Sequence, residues 1–472
     1  MSALWTSDEA AAATGGRNTA PWMAQGVSID SRSLQPDDLF IAIVGPNSDG
    51  HDHIAGAFEN GAAAAMSART TDSATGPALI VEDTMTGMQS LARHARRRGG
   101  AKIIAVTGSV GKTGTKDTLN LALGQQAPTH ATAGNLNNHW GLPLSLARMP
   151  RDTKFGILEM GMNSPGEIAP LSKLAQPDIA IITNVSAVHI EFFDSEEDIA
   201  DAKAEIFAGM DSNGTAVLNR DNRHYERLTN HAKQAGIGRI RSFGAHKDAD
   251  IRLIDTSPQT GGTHVTAEID GKPISYVMGA AGTHWVVNSL GVLAVVDALG
   301  ADITDAASVM AKVAPATGRG AQTEIRMDGG TFLLIDESYN ASPASTRAAL
   351  DVLGGCAGRK IAVLGDMLEL GTQSAELHAA LADDVTRNDI DILFLAGKGM
   401  RALADAMAGN RVAGTGASSE AILPQVIDVI RPGDAVMVKG SLGSRMAPIV
   451  TALKALEISH NGAATQRAAN GR

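Results

Sequence analysis

The sequence predicts an α/β protein of three domains, and three observations carry that expectation. The chain has 472 residues, more than one ordinary hydrophobic core accommodates. Short apolar runs alternate with helix-like stretches in two separate series, which implies two parallel sheets. The first series carries a glycine-bearing turn between strand and helix, of the kind that cradles phosphate. The expected domains are a small α/β unit at 1–99, a central phosphate-loop parallel-sheet unit at 100–318, and a C-terminal Rossmann-like unit at 319–472 with a frayed tail from Ser459.

In the first block Leu39–Val44 and Ala78–Val81 read as strands, with helix-like stretches near 51–64 and 84–98. The run Arg96-Arg97-Arg98-Gly99-Gly100 reads as a helix end and a hinge. From residue 101 the strands expected are Ile103–Thr107, Gly156–Met160 and Asp178–Thr183, each followed by a helix. Such a sheet gathers ligand groups at the carboxyl ends of its strands. Residues 250–278 read as a small antiparallel insertion and 284–299 as an amphipathic helix. After a second hinge at Gly318 come strands at Thr331–Ile335, Lys360–Leu364, Asp391–Ala396 and Asp434–Val438.

Composition narrows the function. A formal charge of -11 with no dense basic stripe, and aromatics at 3%, argue against nucleic acid as a partner. The single cysteine, Cys356, excludes an internal disulfide and reads as an inert thiol in a glycine-rich turn. No apolar run reaches the length of a membrane span and no secretory signal opens the chain, so no membrane insertion and a cytoplasmic, monomeric protein are expected.

The strongest local signal is Ala105-Val106-Thr107-Gly108-Ser109-Val110-Gly111-Lys112-Thr113. Glycines let the backbone of Gly108, Ser109, Val110, Gly111 and Gly114 aim N–H groups at phosphate oxygens. Lys112 is placed to neutralise the β- and γ-phosphates and Thr113 to ligate Mg2+, with the helix N-terminus adding a favourable dipole. Val106 stands where the common pattern has its first glycine, so the strand–turn–helix setting carries the reading. By itself the motif indicates ATP or GTP and no particular reaction.

Glu159 closes a strand of the same sheet, where a carboxylate serves equally as a magnesium ligand or as a helix cap. His189 follows the next strand end, Thr183-Asn184-Val185, and is open to a metal-ligand or a structural role. Lys203, in Asp201-Ala202-Lys203-Ala204-Glu205, reads on its own as a surface lysine paired along a helix.

Taken together and in order, these motifs resemble the Mur ligase family, the ATP-dependent amide ligases of peptidoglycan precursor synthesis. The phosphate loop is similar to that family's G-T-x-G-K-T-T variant, with Gly114 in place of the second threonine. The resemblance implies magnesium at Glu159 and His189, and at Lys203 a carbamate that turns the amine into an anionic ligand. Gly282-Thr283-His284-Trp285-Val286-Val287-Asn288 resembles the family's G-x-H-x-x-x-N stretch beside the nucleotide, implying a nucleotide contact for Asn288. Arg319 resembles the arginine that approaches the phosphates, and Asp336 and Asn340 fall in a stretch similar to D-x-Y-N-A-N-P, with Ser342 for the usual Asn.

Gly134-Asn135-Leu136-Asn137-Asn138-His139-Trp140-Gly141-Leu142-Pro143 resembles the branch that joins D-alanyl-D-alanine to UDP-N-acetylmuramoyl-tripeptide, and implies substrate contacts for Asn137 and Asn138. Leu364–Gly371 and Val438–Ser441 point to the same branch. Ser31, Arg32, Asp49 and His51 fall in segments similar to its uridine-nucleotide-binding domain, and are implied substrate residues. The expected chemistry is therefore transfer of the ATP γ-phosphoryl to the tripeptide carboxylate, then attack by the dipeptide amine. The rivals are a related ligase of folate or diaminopimelate, and an ATP-gated switch that joins nothing.

Overall fold

The structure is a computed structural model that describes residues 3–69, 76–188, 190–259, 261–407, 409 and 411–458. Its strands form three sheets in chain order, plus a two-stranded ribbon near the start. The first sheet runs Arg17–Asn18, Ala78–Ile80, Ala64–Ser67, Asp38–Ile41, Gly26–Ser28, parallel except at Arg17–Asn18. The sequence reading missed Ala64–Ser67, whose small residues extend a helix pattern on paper; the helix stops at Glu59. The strand expected at Leu39–Val44 ends at Ile41, and Val44 makes only an isolated bridge to Asp49.

Helix Thr84–Arg98 lies where expected. Asp83 caps its start by accepting from the Thr86 N–H, and Arg96, Arg97 and Arg98 oppose its dipole at the end. The glycines after it do not form a free joint. Arg96 donates to the carbonyls of Ala175, Ala101 and Gln176 and to Asp178 of the central domain. Arg98 donates to the Leu4 and Met149 carbonyls and lies 4.1 Å over the Trp5 ring, whose N–H donates to Ala147.

The central sheet has nine strands, and around the phosphate loop it runs Thr215–Asn219, Ile179–Ile182, Lys102–Thr107, Phe155–Glu159, all parallel. Ile103–Thr107 is buried on both faces, as an apolar run in a helix-covered parallel sheet must be. The antiparallel strands expected at 250–278 are present, but they prolong the central sheet: Ile251–Gln259 pairs in parallel with Arg239–Gly244 and carries the two antiparallel strands that follow. Helix Thr283–Leu299 is not amphipathic either. Trp285, Val286 and Ser289 through Val296 are all buried, so it is a core helix apolar on nearly every side.

The third sheet runs Ala321–Met327, Gly330–Glu337, Ala435–Lys439, Lys360–Gly365, Ile392–Ala396, Val412–Gly416, parallel except for its first pair. The first of these strands was unforeseen, because its charged and polar residues lie largely exposed at the sheet edge. Among the described residues no helix is long and apolar enough to cross a membrane.

Candidate active site

A cavity of about 1110 Å³ opens between the carboxyl ends of the central and C-terminal sheets. Register builds its floor. Glu159 stands opposite Val106, the second-last residue of the loop strand, and Ile182 stands opposite Thr107 on its other side. Three strand ends therefore converge where the loop begins.

The loop needs its glycines. Gly108 (φ 151°) presses so closely on Thr183 that a Cβ would meet its hydroxyl, and Gly111 (φ 91°) is left-handed. The turn is laced to the neighbouring strand end: the Thr183 hydroxyl donates to the Val110 carbonyl (2.6 Å), the Ser109 N–H to the Asn184 carbonyl, and the Ser109 hydroxyl to Ser186. Lys112 Nζ donates back to the Gly108 carbonyl at 2.7 Å. Burial lowers its pKa, the nearby Glu159 carboxylate opposes that, and Arg319 adds to it.

Glu159 is 2% exposed. Asn137 Nδ2 donates to its Oε1 at 2.8 Å, while Oε2 has no hydrogen-bond partner among the described residues. A buried carboxylate oxygen left without a donor, on a cavity wall beside a lysine, is the feature a cation satisfies. Thr113 lines the same cavity, and the Asn184 side-chain oxygen is likewise buried without a partner among the described residues. These groups fit a magnesium ion that takes its remaining ligands from phosphate and water. Among the described residues no three His, Cys, Asp or Glu side chains cluster as a self-sufficient metal cage.

Lys203 is also 2% exposed, on the last turn of helix Glu196–Ala204, and not the surface lysine its sequence suggests. Burial drives its pKa well down and Lys112 drives it further, both in the direction that favours the neutral amine. It does not itself line the cavity. His189 lies outside the described residues.

The opposite wall comes from the C-terminal domain. Arg319 stacks 4.1 Å over the Tyr339 ring, and Lys439 bonds Glu337 (3.1 Å) and the Asn340 carbonyl (3.0 Å). Asp336 faces inward, accepting from the Ser338 hydroxyl, and its neighbour Glu337 lines the cavity in its stead. Sequence reading also left Glu337, Lys439, Asn184 and Trp285 out of the site, although all line the cavity.

Of the expected residues, Ser109 to Gly114, Asn137, Asn138, Glu159, Asn288, Arg319 and Asn340 line this one cavity. Asn137 serves Glu159, however, and Asn138 Oδ1 accepts from the N–H groups of Trp140 and Gly141 at the start of helix Gly141–Ala147. Ser31, Arg32, Asp49 and His51 lie apart in the N-terminal domain. Arg32 is exposed and paired with Asp30. His51 is buried, with Nε2 accepting from Ala68 N–H and Nδ1 against Asp49, so its ring holds the fold and has no nitrogen left for substrate.

Comparison with known proteins bears on the whole chain. Residues 24–99 match the Mur ligase family, catalytic domain; 106–296 the Mur ligase middle domain; and 323–442 the Mur ligase, glutamate ligase domain. The UDP-N-acetylmuramoyl-tripeptide–D-alanyl-D-alanine ligase of Rickettsia prowazekii is 33% identical over 95% of this chain and 99% of its own. The Bacillus subtilis enzyme of that name is 35% identical over 90% and 92%. Among solved structures, MurF from Acinetobacter baumannii superposes with a TM-score of 0.84 at 28% identity, covering 96% of this chain and 99% of that one. MurF ligase from Thermotoga maritima in complex with ADP gives 0.77 at 28% identity, covering 91% and 97%.

Proposed function

The chain belongs to the Mur ligase family, and from that premise we propose how its cavity works. It is an ATP-dependent amide-forming ligase that joins D-alanyl-D-alanine to UDP-N-acetylmuramoyl-tripeptide in peptidoglycan precursor synthesis. ATP lies along the loop from Ser109 to Gly114, with backbone N–H groups and Lys112 around its phosphates. Lys112 leaves the Gly108 carbonyl to meet the incoming charge. Thr113 and Glu159 hold Mg2+, which when bound supplies positive charge against the phosphate oxygens. Lys203, whose pKa burial lowers, is the amine that captures CO₂ and, on releasing a proton, becomes an anion; a protonated lysine has no lone pair for that reaction. We infer a cytoplasmic reaction from its use of ATP and a nucleotide-linked substrate.

A tripeptide carboxylate oxygen bonds to the γ-phosphorus as ADP departs. The dipeptide amine then adds to the acyl carbon, and phosphate leaves with that oxygen. No side chain is needed as a nucleophile; the enzyme positions reactants and offsets charge. The N-terminal domain carries the uridine end, and the seam between the other two domains shelters the acyl phosphate from water.

The observation that carries this reading is the buried Glu159 Oε2, without a partner among the described residues, one strand from the phosphate loop and close enough to Lys112 to shift its pKa. Phosphate release from ATP tests it: release requires the UDP-tripeptide and D-alanyl-D-alanine together, and Lys112→Ala lowers it at least about a hundredfold. Release indifferent to the dipeptide contradicts it.

A further inference from the structure

Strand Thr129–Ala131 forms one edge of the central sheet and pairs in parallel with Phe155–Glu159 only as far as Ile157. The Thr132 N–H makes the last regular rung, to the Ile157 carbonyl at 2.9 Å. An undisturbed parallel ladder would next pair the Glu159 N–H with the Thr132 carbonyl. The two groups are parted. The Thr132 carbonyl accepts from Lys116 Nζ at 2.9 Å, and the Glu159 N–H donates to the Thr132 hydroxyl at 3.1 Å.

Lys116 is 4% exposed and lies one turn beyond Lys112 on helix Lys112–Gly124, which the phosphate loop opens. Its charge is met by Asp117 at 2.8 Å. Burying an ammonium group carries a desolvation cost, and its reach to one backbone carbonyl has a purpose if that carbonyl must be drawn out of the sheet. Past Thr132 the chain returns to the same strand end. The Asn137 amide holds Glu159 Oε1, and its carbonyl accepts from the Gly161 N–H at 2.8 Å. The segment from 132 to 137 therefore grips Glu159 by backbone and side chain at once, and Lys116 ties that segment to the phosphate-loop helix.

We propose that Lys116 and Thr132 are positioning residues for Glu159. Lys116 draws the Thr132 carbonyl out of the ladder, the Thr132 hydroxyl takes its place at the Glu159 N–H, and the carboxylate is thereby held in register with the phosphate loop. This rests on reading Glu159 as a magnesium residue. Neither Lys116 nor Thr132 lines the cavity, so both act through Glu159 and not on the reactants.

Manganese, which suits the same oxygen ligands as magnesium, is the probe. Its binding to the enzyme–ADP complex is read by electron paramagnetic resonance, and ADP binding without metal by calorimetry in EDTA. Thr132→Val removes the hydroxyl and keeps the shape; it is expected to weaken manganese binding about 10–100-fold, with Thr132→Ser within about threefold of the parent. Lys116→Met, which keeps the length without the donor, is expected to weaken it likewise. Metal-free ADP binding stays at the parent's value in all three, because the phosphate loop is untouched. Manganese affinity unchanged in both Thr132→Val and Lys116→Met overturns the proposal. So does an equal loss of metal-free ADP binding, the mark of general loosening, or a Thr132→Ser variant as weak as Thr132→Val. Should Lys116→Met fail to fold, the Thr132 pair decides. Glu159→Gln separates the two claims: if it keeps the parent's manganese affinity, the reading of Glu159 has failed, whereas a loss there with none in Thr132→Val leaves that reading intact and removes this one.

Discussion

Asn137 illustrates how a residue seen in a motif acquires a different task in three dimensions. Its amide holds one oxygen of Glu159 and leaves the other open. A partner that orients a metal-binding carboxylate commonly contributes ten- to a hundredfold in metal affinity. Asn137→Ala is therefore expected to raise the Mg2+ concentration for half-maximal phosphate release about 10–100-fold, with little change in binding of the UDP-tripeptide by calorimetry. The opposite pattern assigns Asn137 to substrate. Lys203→Ala is expected to lose turnover and to recover part of it with added short carboxylates; no recovery removes the carbamate role. Strand parity explains a residue the sequence misplaced. Alternation along Gly330–Glu337 turns Asp336 inward and Glu337 outward, and only the pairing of Glu337 opposite Lys439 shows which faces the cavity.

At the scale of elements, the phosphate loop was legible because its chemistry is local: glycines at forced dihedrals, a lysine and a helix start. Helix Thr283–Leu299 was not, since its polar residues Asn288 and Asp297 suggest two faces and only tertiary packing shows that Ser289 to Val296 are buried all round. The turn at Asp49 makes a pH prediction. The His51 backbone N–H, and then the His51 ring, hold the Asp49 carboxyl down at about 2, with Arg69 assisting. An aspartate in the unfolded chain titrates at about 3.9, so the folded form takes up its proton at lower pH. Its stabilisation is full above about pH 4 and is lost as pH falls toward about 2. Near-ultraviolet circular dichroism from pH 5 to 2 is expected to show Asp49→Asn with a smaller change in stability over that window than the parent. Arg96 makes a second prediction: its removal takes a donor from three carbonyls at the joint, while Asp178 keeps Lys102 and the Ile103 N–H, and is expected to cost about 2–4 kcal/mol in urea unfolding.

For the whole molecule, the three-domain α/β plan was readable from two series of strand and helix and from motif order, whereas the stiffness of its joints was not. Glycines at 99 and 100 suggest a hinge, but the arginine contacts across that joint tie the first two domains together. The hinge expected from sequence is therefore proposed at Gly318, the left-handed residue beside Arg319 where the C-terminal wall of the cavity begins. Small-angle scattering is expected to show compaction with an ATP analogue plus UDP-tripeptide, and Arg96 variants are not expected to be needed for it.

The most direct test follows one oxygen atom. If the tripeptide carboxylate is labelled with oxygen-18 and the reaction run with ATP and D-alanyl-D-alanine, the acyl-phosphate route moves one labelled oxygen into each phosphate released. Mass spectrometry of that phosphate is expected to show the label; unlabelled phosphate, with amide formed all the same, contradicts the account.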